Sequence, residues 1–264
     1  MEDLVETERI GHVLRIVLNR PKVNAISGAM SQAIYRAAKT LQDDPGLRVG
    51  IITAKGDRVF SAGWDFGEAS VAENGETVGH GDGGFAGITR YWSLKKPLIA
   101  AINGAAVGGG FEMALAADVI LMADHTFFQL PELQRGFLPD AGGVQRLPRR
   151  IPYNVAMEMI FSGRRMEAAE AQHWGLAHKV VPSSRLQEEA LALATQIASG
   201  APLALQALKE VMHGIDGRTL PEAMEMTKPG SGRLPTFDRM WRSPDAQEGP
   251  QAFLEKRPPR WRGE

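Results

Sequence analysis

The fold is decided by residues 96–112, which read Lys-Pro-Leu-Ile-Ala-Ala-Ile-Asn-Gly-Ala-Ala-Val-Gly-Gly-Gly-Phe-Glu. The apolar run 98–102 predicts a buried strand, and the three glycines 108–110 open a predicted helix over 111–117. Glycines allow a ligand to approach the backbone closely, and free N–H groups at a helix N-terminus attract negative charge. This unit either holds a phosphate or a developing oxyanion, or it is a plain turn in which the glycines serve packing.

Strands and helices alternate on both sides of this unit, which indicates the α/β class. A hairpin is predicted over 4–20, and Ser27 is predicted to cap a helix that ends before Pro45. Residues 67–89 are rich in Gly and Glu and lack periodicity, so they predict a long loop. The other predicted strands are 49–53, 60–63 and 119–122, and the other predicted helices are 167–174, 186–199 and 202–212.

Composition excludes several kinds of site and partner. The 264 residues contain no cysteine, which excludes disulfides, zinc–thiolate sites, iron–sulfur clusters and a cysteine nucleophile. With 30 Lys+Arg, 31 Asp+Glu and a net charge of −1, the chain has no general attraction for nucleic acid. No His-Glu-x-x-His motif is present, and no apolar run reaches the roughly 18 residues of a membrane helix. We therefore expect a cytoplasmic protein that binds no metal, membrane or nucleic acid.

Two glutamates stand in apolar surroundings. Glu112 follows the three glycines with only Phe111 between, and Glu132 lies in the run Phe127-Phe128-Gln129-Leu130-Pro131-Glu132-Leu133. A carboxyl group among apolar side chains has a raised pKa, which suits proton transfer near neutral pH. Each has an ordinary alternative, because acids favour the first turn of a helix and a single loop carboxylate usually faces water. Together they are the candidate general acid and base.

The segment Phe60-Ser61-Ala62-Gly63-Trp64-Asp65 is a third candidate. Backbone at the end of this predicted strand is in a position to give a second N–H to the same oxyanion. Two converging N–H donors stabilise an enolate or a tetrahedral oxyanion, and the loss of one costs roughly 10²–10³ in rate. The residues alone leave this role open.

These segments occur in an order that resembles the crotonase family, also called the enoyl-CoA hydratase/isomerase family. The resemblance covers nearly the whole chain and rests on several motifs together. They are residues 19–25 (Asn-Arg-Pro-Lys-Val-Asn-Ala), 60–65, 96–104, 108–112, 130–132, 142–147 (Gly-Gly-Val-Gln-Arg-Leu) and 162–166 (Ser-Gly-Arg-Arg-Met).

The resemblance implies a crotonase-like spiral of ββα units over 1–200 that carries the active site. It implies a helical region over 201–264 that joins copies into a homotrimer or into a hexamer built from two trimers. It also implies a coenzyme A thioester as substrate. No further cofactor is implied, because coenzyme A is part of that substrate.

Residue by residue, the resemblance implies two oxyanion-hole N–H groups, from Ala62 and Gly109. The catalytic pair that it implies is Glu112 and Glu132, of which Glu132 would move the proton at Cα and Glu112 would orient the water. The remaining residues that it places along the substrate are Lys22, Val23, Ala25, Ala62, Trp64, Asp65, Phe66, Gly108 and Pro131.

Both glutamates together imply the addition or removal of water across the 2,3-double bond of an enoyl-CoA thioester. Isomerisation or decarboxylation through the same thioester enolate stays open. A glycosidase also uses two carboxylates, but aromatic residues make up only 7% of this chain. A non-catalytic binding protein, such as an RNA binder, is disfavoured by the balanced charge.

Within the family, Gly63-Trp64-Asp65, residues 83–87 and the ending over 248–261 resemble the branch that dehydrates carnitinyl-CoA. The trimethylammonium group of such a substrate requires aromatic or anionic surroundings. The candidates near the pocket are Trp64, Asp65, Tyr91 and Trp92, although each of them also suits ordinary packing.

Overall fold

Two β-sheets surrounded by helices form the structure, a computed structural model that describes residues 4–69 and 79–264. The strands are β1 (Val5–Ile10), β2 (Val13–Leu18), β3 (Val49–Ala54), β4 (Val59–Ser61), β5 (Leu98–Ile102), β6 (Ala105–Val107), β7 (Val119–Ala123), β8 (Phe127–Gln129), β9 (Arg165–Glu167) and β10 (Lys179–Val181). The helices are α1 (Gly28–Asp43), α2 (Phe66–Ala69), α3 (Gly109–Leu115), α4 (Gly143–Arg150), α5 (Tyr153–Ser162), α6 (Ala168–His173), α7 (Leu186–Ala198), α8 (Pro202–Ile215), α9 (Leu220–Met226), α10 (Pro235–Arg242) and α11 (Asp245–Leu254).

Successive strands from β3 to β8 alternate between the two sheets. The larger sheet has the order β1-β2-β3-β5-β7-β10, and the smaller sheet has the order β4-β6-β8-β9. The β1–β2 and β8–β9 pairs are antiparallel, and all other pairs are parallel. A helical segment follows each pair of strands that has one member in each sheet, so the chain advances as a spiral of ββα units. The predicted α/β class and the crotonase-like spiral are confirmed.

Both faces of the larger sheet are buried. Along β5, Leu98, Ala100 and Ile102 belong to the core that also contains α1 and α3, whereas Ile99 and Ala101 belong to a second core under α7. Successive side chains of a strand point to opposite faces, so a strand that is covered on both sides is apolar throughout. This explains why 98–102 is an unbroken apolar run.

Several elements agree with the sequence prediction within a few residues. The hairpin forms as β1 and β2, and Ser27 caps α1 because its hydroxyl oxygen accepts a hydrogen bond from the Met30 N–H at 3.1 Å. The sequence analysis did not predict α4, α5, α9, α10 and α11 as individual helices. Of these, α4 and α11 contain an internal proline, which usually marks a helix end. The predicted loop over 67–89 begins as α2, and its middle part, 70–78, lies outside the described residues.

The C-terminal helices are linked to the spiral by ion pairs on α8. The Lys95 ammonium lies 2.6 Å from Glu210, and the Lys209 ammonium lies 2.8 Å from Asp118. No single helix within the described ranges is long and apolar enough to cross a membrane, and Ser183–Ala198 with Pro202–Ile215 meets that criterion only as a pair bent by 100°. The division of the chain near residue 200 stays a prediction.

Asn103 ties the end of β5 to the end of β3, and its removal should destabilise the fold. Its side-chain amide donates to the C=O groups of Ala54 and Gly56 at 2.7 and 2.6 Å, and its oxygen accepts from the Ala54 N–H at 3.1 Å. Asn103→Ala leaves these backbone groups unpaired, so we expect the free energy of unfolding to fall by about 2–4 kcal/mol. Urea denaturation measures this loss.

The matched control for this substitution is Asn154→Ala on the exposed side of α5, which should change the free energy of unfolding by less than about 0.5 kcal/mol. Equal effects of the two substitutions would contradict the role given to Asn103.

Candidate active site

A cavity of about 660 Å³ collects most of the predicted site residues. Those that line it are Ala62, Trp64, Phe66, Gly108, Gly109, Glu112, Pro131 and Glu132. Residues that the sequence analysis gave no role also line it, among them His80, Asp82, Phe85, Arg90, Arg135, Phe137 and Asp140. The three candidate segments therefore do converge on one site.

Strand direction explains the convergence. β4, β6 and β8 are parallel neighbours, so their carboxyl ends meet at the same edge of the smaller sheet. Each strand runs directly into one candidate segment: β4 into 62–65, β6 into 108–112 and β8 into 130–132. In parallel sheets, ligands bind beyond these carboxyl ends.

The three glycines are required by close contacts. Gly108 has φ +55°, and a Cβ on it would lie 2.7 Å from Glu132 Oε1. A Cβ on Gly109 would overlap the ring of Phe85, and one on Gly110 would overlap the backbone oxygen of Ser61. The glycines thus serve packing, and the same packing brings the start of α3 against the wall of the cavity.

Glu112 lies in the first turn of α3 and is only 4% exposed. Its Oε1 accepts a hydrogen bond from the Gly143 N–H at 2.8 Å, which fixes the carboxyl group against the start of α4. Burial, with smaller contributions from the charges of Glu132 and Asp140, raises the pKa of Glu112 to about 8. The Gly143 hydrogen bond opposes this shift.

Glu132 is 5% exposed and follows β8 and Pro131 at the start of a short 3₁₀ turn. Its Oε2 is buried and has no hydrogen-bond partner among the described residues. Burial raises the pKa of Glu132 to about 7, Asp140 adds to this effect, and Arg135 opposes it. A buried, unpaired carboxyl oxygen at the wall of a cavity is available to a ligand.

The backbone beside Gly109 differs from the prediction. The Ala62 N–H donates to the Val23 C=O at 2.9 Å, so the prediction that this N–H is free for an oxyanion is wrong. Gly63 has φ +85°, which reverses the side of the chain to which the following N–H points. The Gly63 C=O and the Asp65 N–H both bond to Ile26, at 2.7 and 3.1 Å.

Ile26 and Trp64 thus form an isolated parallel β-bridge. In this pattern the two groups that bond to Ile26 belong to the residues on either side of Trp64, and the N–H of Trp64 itself points to the opposite side of the strand. The Trp64 N–H therefore points away from Ile26, towards the side where Gly63 contacts Gly109; a Cβ on Gly63 would lie 2.8 Å from the Gly109 nitrogen. Within residues 4–69 and 79–264, neither the Trp64 N–H nor the Gly109 N–H has an acceptor.

Part of the predicted trimethylammonium cage lies elsewhere. The Asp65 carboxylate is 2.6 Å from the Arg20 guanidinium and does not line the cavity. Tyr91 packs its ring on Tyr35, and Trp92 is 64% exposed and lies under the Arg146 guanidinium at 5.5 Å. Of the four candidates, Trp64 alone lines the cavity.

Trp64 instead belongs to an aromatic cluster with Phe66 and Phe137. The three rings contact one another edge to face, with centroids 5.9 to 6.2 Å apart. Sequence reasoning missed Phe137 because it lies in a loop, five residues after Glu132, with no periodicity to indicate where it points. Lys22, Val23 and Ala25 do not line the cavity, so their role along the substrate stays a prediction.

Within the described part of the chain, no group of three or more His, Asp or Glu side chains is arranged to hold a metal ion. The groups in this cavity that suit chemistry are two buried carboxyl groups and two backbone N–H groups without an acceptor among the described residues. Such a set suits polarisation of a carbonyl together with proton transfer.

Comparison with known proteins agrees with this chemistry. The family described as "Enoyl-CoA hydratase/isomerase" matches residues 8–264. The chain belongs to this family. Membership of the crotonase family, which the order of motifs predicts, is thereby confirmed, and the family implies an acyl-CoA thioester as substrate.

Individual crotonase-family relatives match over the full length. A carnitinyl-CoA dehydratase of Proteus mirabilis (strain HI4320) is 49% identical over 253 residues, which is 96% of each chain. One of Salmonella typhi is 46% identical over 263 residues, which is 100% of each chain. The crystal structure of an enoyl-CoA hydratase from Mycobacterium tuberculosis H37Rv superimposes with a TM-score of 0.90 at 36% identity and full coverage of both chains.

The raised pKa of Glu112 predicts a pH-dependent stability. A carboxyl group with a pKa of 4.5 when unfolded and about 8 when folded stabilises the fold below pH 4.5, and this contribution is lost as the pH rises through 8. Glu112→Gln cannot ionise. Its free energy of unfolding should therefore rise relative to the natural chain, by on the order of 3–5 kcal/mol, between pH 4.5 and pH 9.

Urea denaturation at both pH values and one protein concentration tests this, with the exposed Glu188→Gln as control. A pH-independent difference between Glu112→Gln and the natural chain would show that Glu112 titrates normally.

Proposed function

We propose that this protein adds water to, or removes it from, the 2,3-double bond of an enoyl-CoA thioester. The observation that carries the proposal is the pair of buried glutamates that face one cavity beside the free N–H of Gly109. Their pKa values of about 8 and 7 allow one proton to be shared between them near neutral pH. Hydration requires one base and one acid, which is what a shared proton supplies.

The thioester carbonyl oxygen would lie between the N–H groups of Gly109 and Trp64. This replaces the predicted pair of Gly109 and Ala62, because the Ala62 N–H is bonded to Val23. Negative charge that develops on this oxygen in the enolate is stabilised by the two donors. The start of α3 adds the partial positive charge of a helix N-terminus.

The two glutamates have different surroundings, which supports different roles. The reactive state is the one in which the shared proton lies on Glu132: Glu112, held by the Gly143 N–H, then orients water and takes a proton as the water oxygen bonds to Cβ. Electrons of the double bond move towards the thioester, and Cα takes its proton from Glu132, whose free Oε2 is able to carry it. Proton exchange between the two carboxyl groups then restores the starting state.

The acyl group that we propose is that of crotonobetainyl-CoA, with carnitinyl-CoA as the hydrated form. The support is the 46–49% identity to carnitinyl-CoA dehydratases over nearly the whole of both chains, together with the motifs at 63–65 and 248–261. A cytoplasmic location stays a prediction.

The two-glutamate mechanism predicts that Glu112→Gln and Glu132→Gln each lower kcat for hydration of crotonyl-CoA by at least about 10²-fold, because each removes a proton-transfer group. The measurement is the loss of absorbance of the conjugated thioester. Glu188→Gln, whose side chain is 74% exposed, should leave the rate unchanged.

Near-normal hydration by either variant would refute this mechanism. Product analysis with 2-enoyl- and 3-enoyl-CoA distinguishes hydration from isomerisation: an enzyme that only converts the 3-enoyl thioester into the 2-enoyl thioester is not a hydratase.

We also propose that the C-terminal helices join copies of the chain into a trimer or hexamer. Large apolar side chains are exposed on these helices, which is unfavourable unless another surface covers them. They are Leu208, Met212, Leu220, Met224, Trp241, Phe253 and Leu254.

The double substitution Phe253→Lys with Leu254→Lys places two charges on side chains that are 82% and 80% exposed in the single chain. We expect the oligomer to dissociate, since a charge buried at an interface is costly, with light scattering after gel filtration as the measurement. Phe161→Lys on α5, outside the C-terminal region, should leave the mass unchanged. A natural chain that is monomeric, or a double variant that keeps its mass, would contradict the proposal.

A further inference from the structure

Asp140 places a third carboxylate on the wall of the cavity that holds both glutamates. It lies in the turn before α4, three residues ahead of the Gly143 N–H that binds Glu112, and its own N–H donates to the Leu138 C=O at 2.9 Å. The side chain is exposed to the cavity and forms no ion pair with any cation of residues 4–69 and 79–264. The Asp140 carboxylate therefore contributes no ion pair to the stability of the described part of the chain.

Asp140 acts on both glutamates, because its charge contributes to the raised pKa of each. The other charged groups that line the cavity are Asp82, Arg90 and Arg135. Arg135 donates to the Pro131 C=O and acts on Glu132 alone of the pair. His80 also lines the cavity, but burial lowers its pKa, which keeps the ring neutral near pH 7.

A second observation points to a ligand at the same place. Glu132 Oε2 is buried, unpaired within the described residues, and belongs to a side chain that lines this cavity. An unsatisfied buried oxygen is costly unless a bound molecule or proton pairs with it. The reacting carbons of the substrate would therefore lie beside Glu132 and within reach of the Asp140 charge.

The chemistry of a crotonobetainyl group fits this position. Its quaternary nitrogen is two bonds from Cβ, so it lies only about 2.5 Å from the carbon that gains or loses water. A nitrogen that carries four carbon substituents has no N–H to donate. Its charge is therefore compensated by a nearby anion or an aromatic face rather than by a hydrogen bond.

We propose that Asp140 is the counter-ion for a cationic acyl group, a quaternary ammonium two bonds from the β-carbon of the enoyl-CoA. The inference rests on the proposed function, because that function places Cβ between the two glutamates. Asp140 selects the substrate by charge, while Glu112 and Glu132 carry the proton transfers. The glutamates share a proton that the reaction moves, so their charge changes during the reaction, whereas Asp140 takes no part in the proton transfers.

The test compares two thioesters of the same shape. Crotonobetainyl-CoA carries the charge, and 5,5-dimethylhex-2-enoyl-CoA has a carbon in place of the quaternary nitrogen. We expect Asp140→Asn to lower kcat/KM for the cationic thioester by about 10- to 100-fold, and to change that for the neutral one by less than about 3-fold. The matched substitution Asp82→Asn removes another carboxylate from the same cavity and should alter the ratio of the two values much less.

Three results with the variants would overturn the inference: equal losses on the two thioesters, no loss on either, or the same change of ratio in Asp82→Asn. The natural enzyme separates this failure from failure of the proposed function. A natural enzyme that hydrates crotonyl-CoA but does not favour the cationic over the neutral thioester would refute the role of Asp140 alone. A natural enzyme that hydrates no enoyl-CoA would refute the proposed function.

Discussion

The site depends on one close contact between two pieces of backbone. The turn that opens α3 presses against the end of β4, so that a Cβ on Gly63 would lie 2.7 Å from the Val107 C=O and one on Gly110 would overlap Ser61. Only glycine permits this approach. The contact holds Trp64 and Gly109, whose N–H groups have no acceptor within the described residues, beside the cavity that Glu112 and Glu132 also line. Catalytic geometry is thus set by the main chain, before any side chain of the site is considered.

The same contact controls the ionisation of the glutamates. Because the backbone closes around them, Glu112 and Glu132 are almost fully removed from water, and their pKa values rise to about 8 and 7. Burial makes the ionised form of both carboxyl groups unfavourable in the folded state. The free energy of unfolding therefore falls as the pH rises above neutral. In return, a shared proton is present at the pH where ordinary glutamates would have lost theirs.

Sequence reasoning predicted the parts of this arrangement that depend on residue type and order. Three glycines before Glu112 and a proline before Glu132 mark the site locally, and the parallel strands bring the segments together. It assigned the wrong N–H, because the choice between Ala62 and Trp64 depends on the positive φ of Gly63, which only the structure shows. It also named Trp92 as a candidate near the pocket, with ordinary packing as the alternative, and the ring lies under Arg146 and does not line the cavity. No sequence pattern marks Asp140, because its place on the cavity wall depends on where the turn before α4 lies relative to Glu112.

The division between backbone and side chains explains how one framework serves different acyl groups. In the mechanism that we propose, polarisation of the thioester uses main-chain N–H groups, and proton transfer uses two glutamates, of which Glu112 is held by Gly143. The side chain at 140 and the aromatic cluster of Trp64, Phe66 and Phe137 supply no reacting group, so a change at these positions removes neither the N–H donors nor the two glutamates. A negative charge at 140 adds attraction for a cation near Cβ, but it also raises the pKa of both glutamates, so substrate charge and working pH are coupled through a single residue.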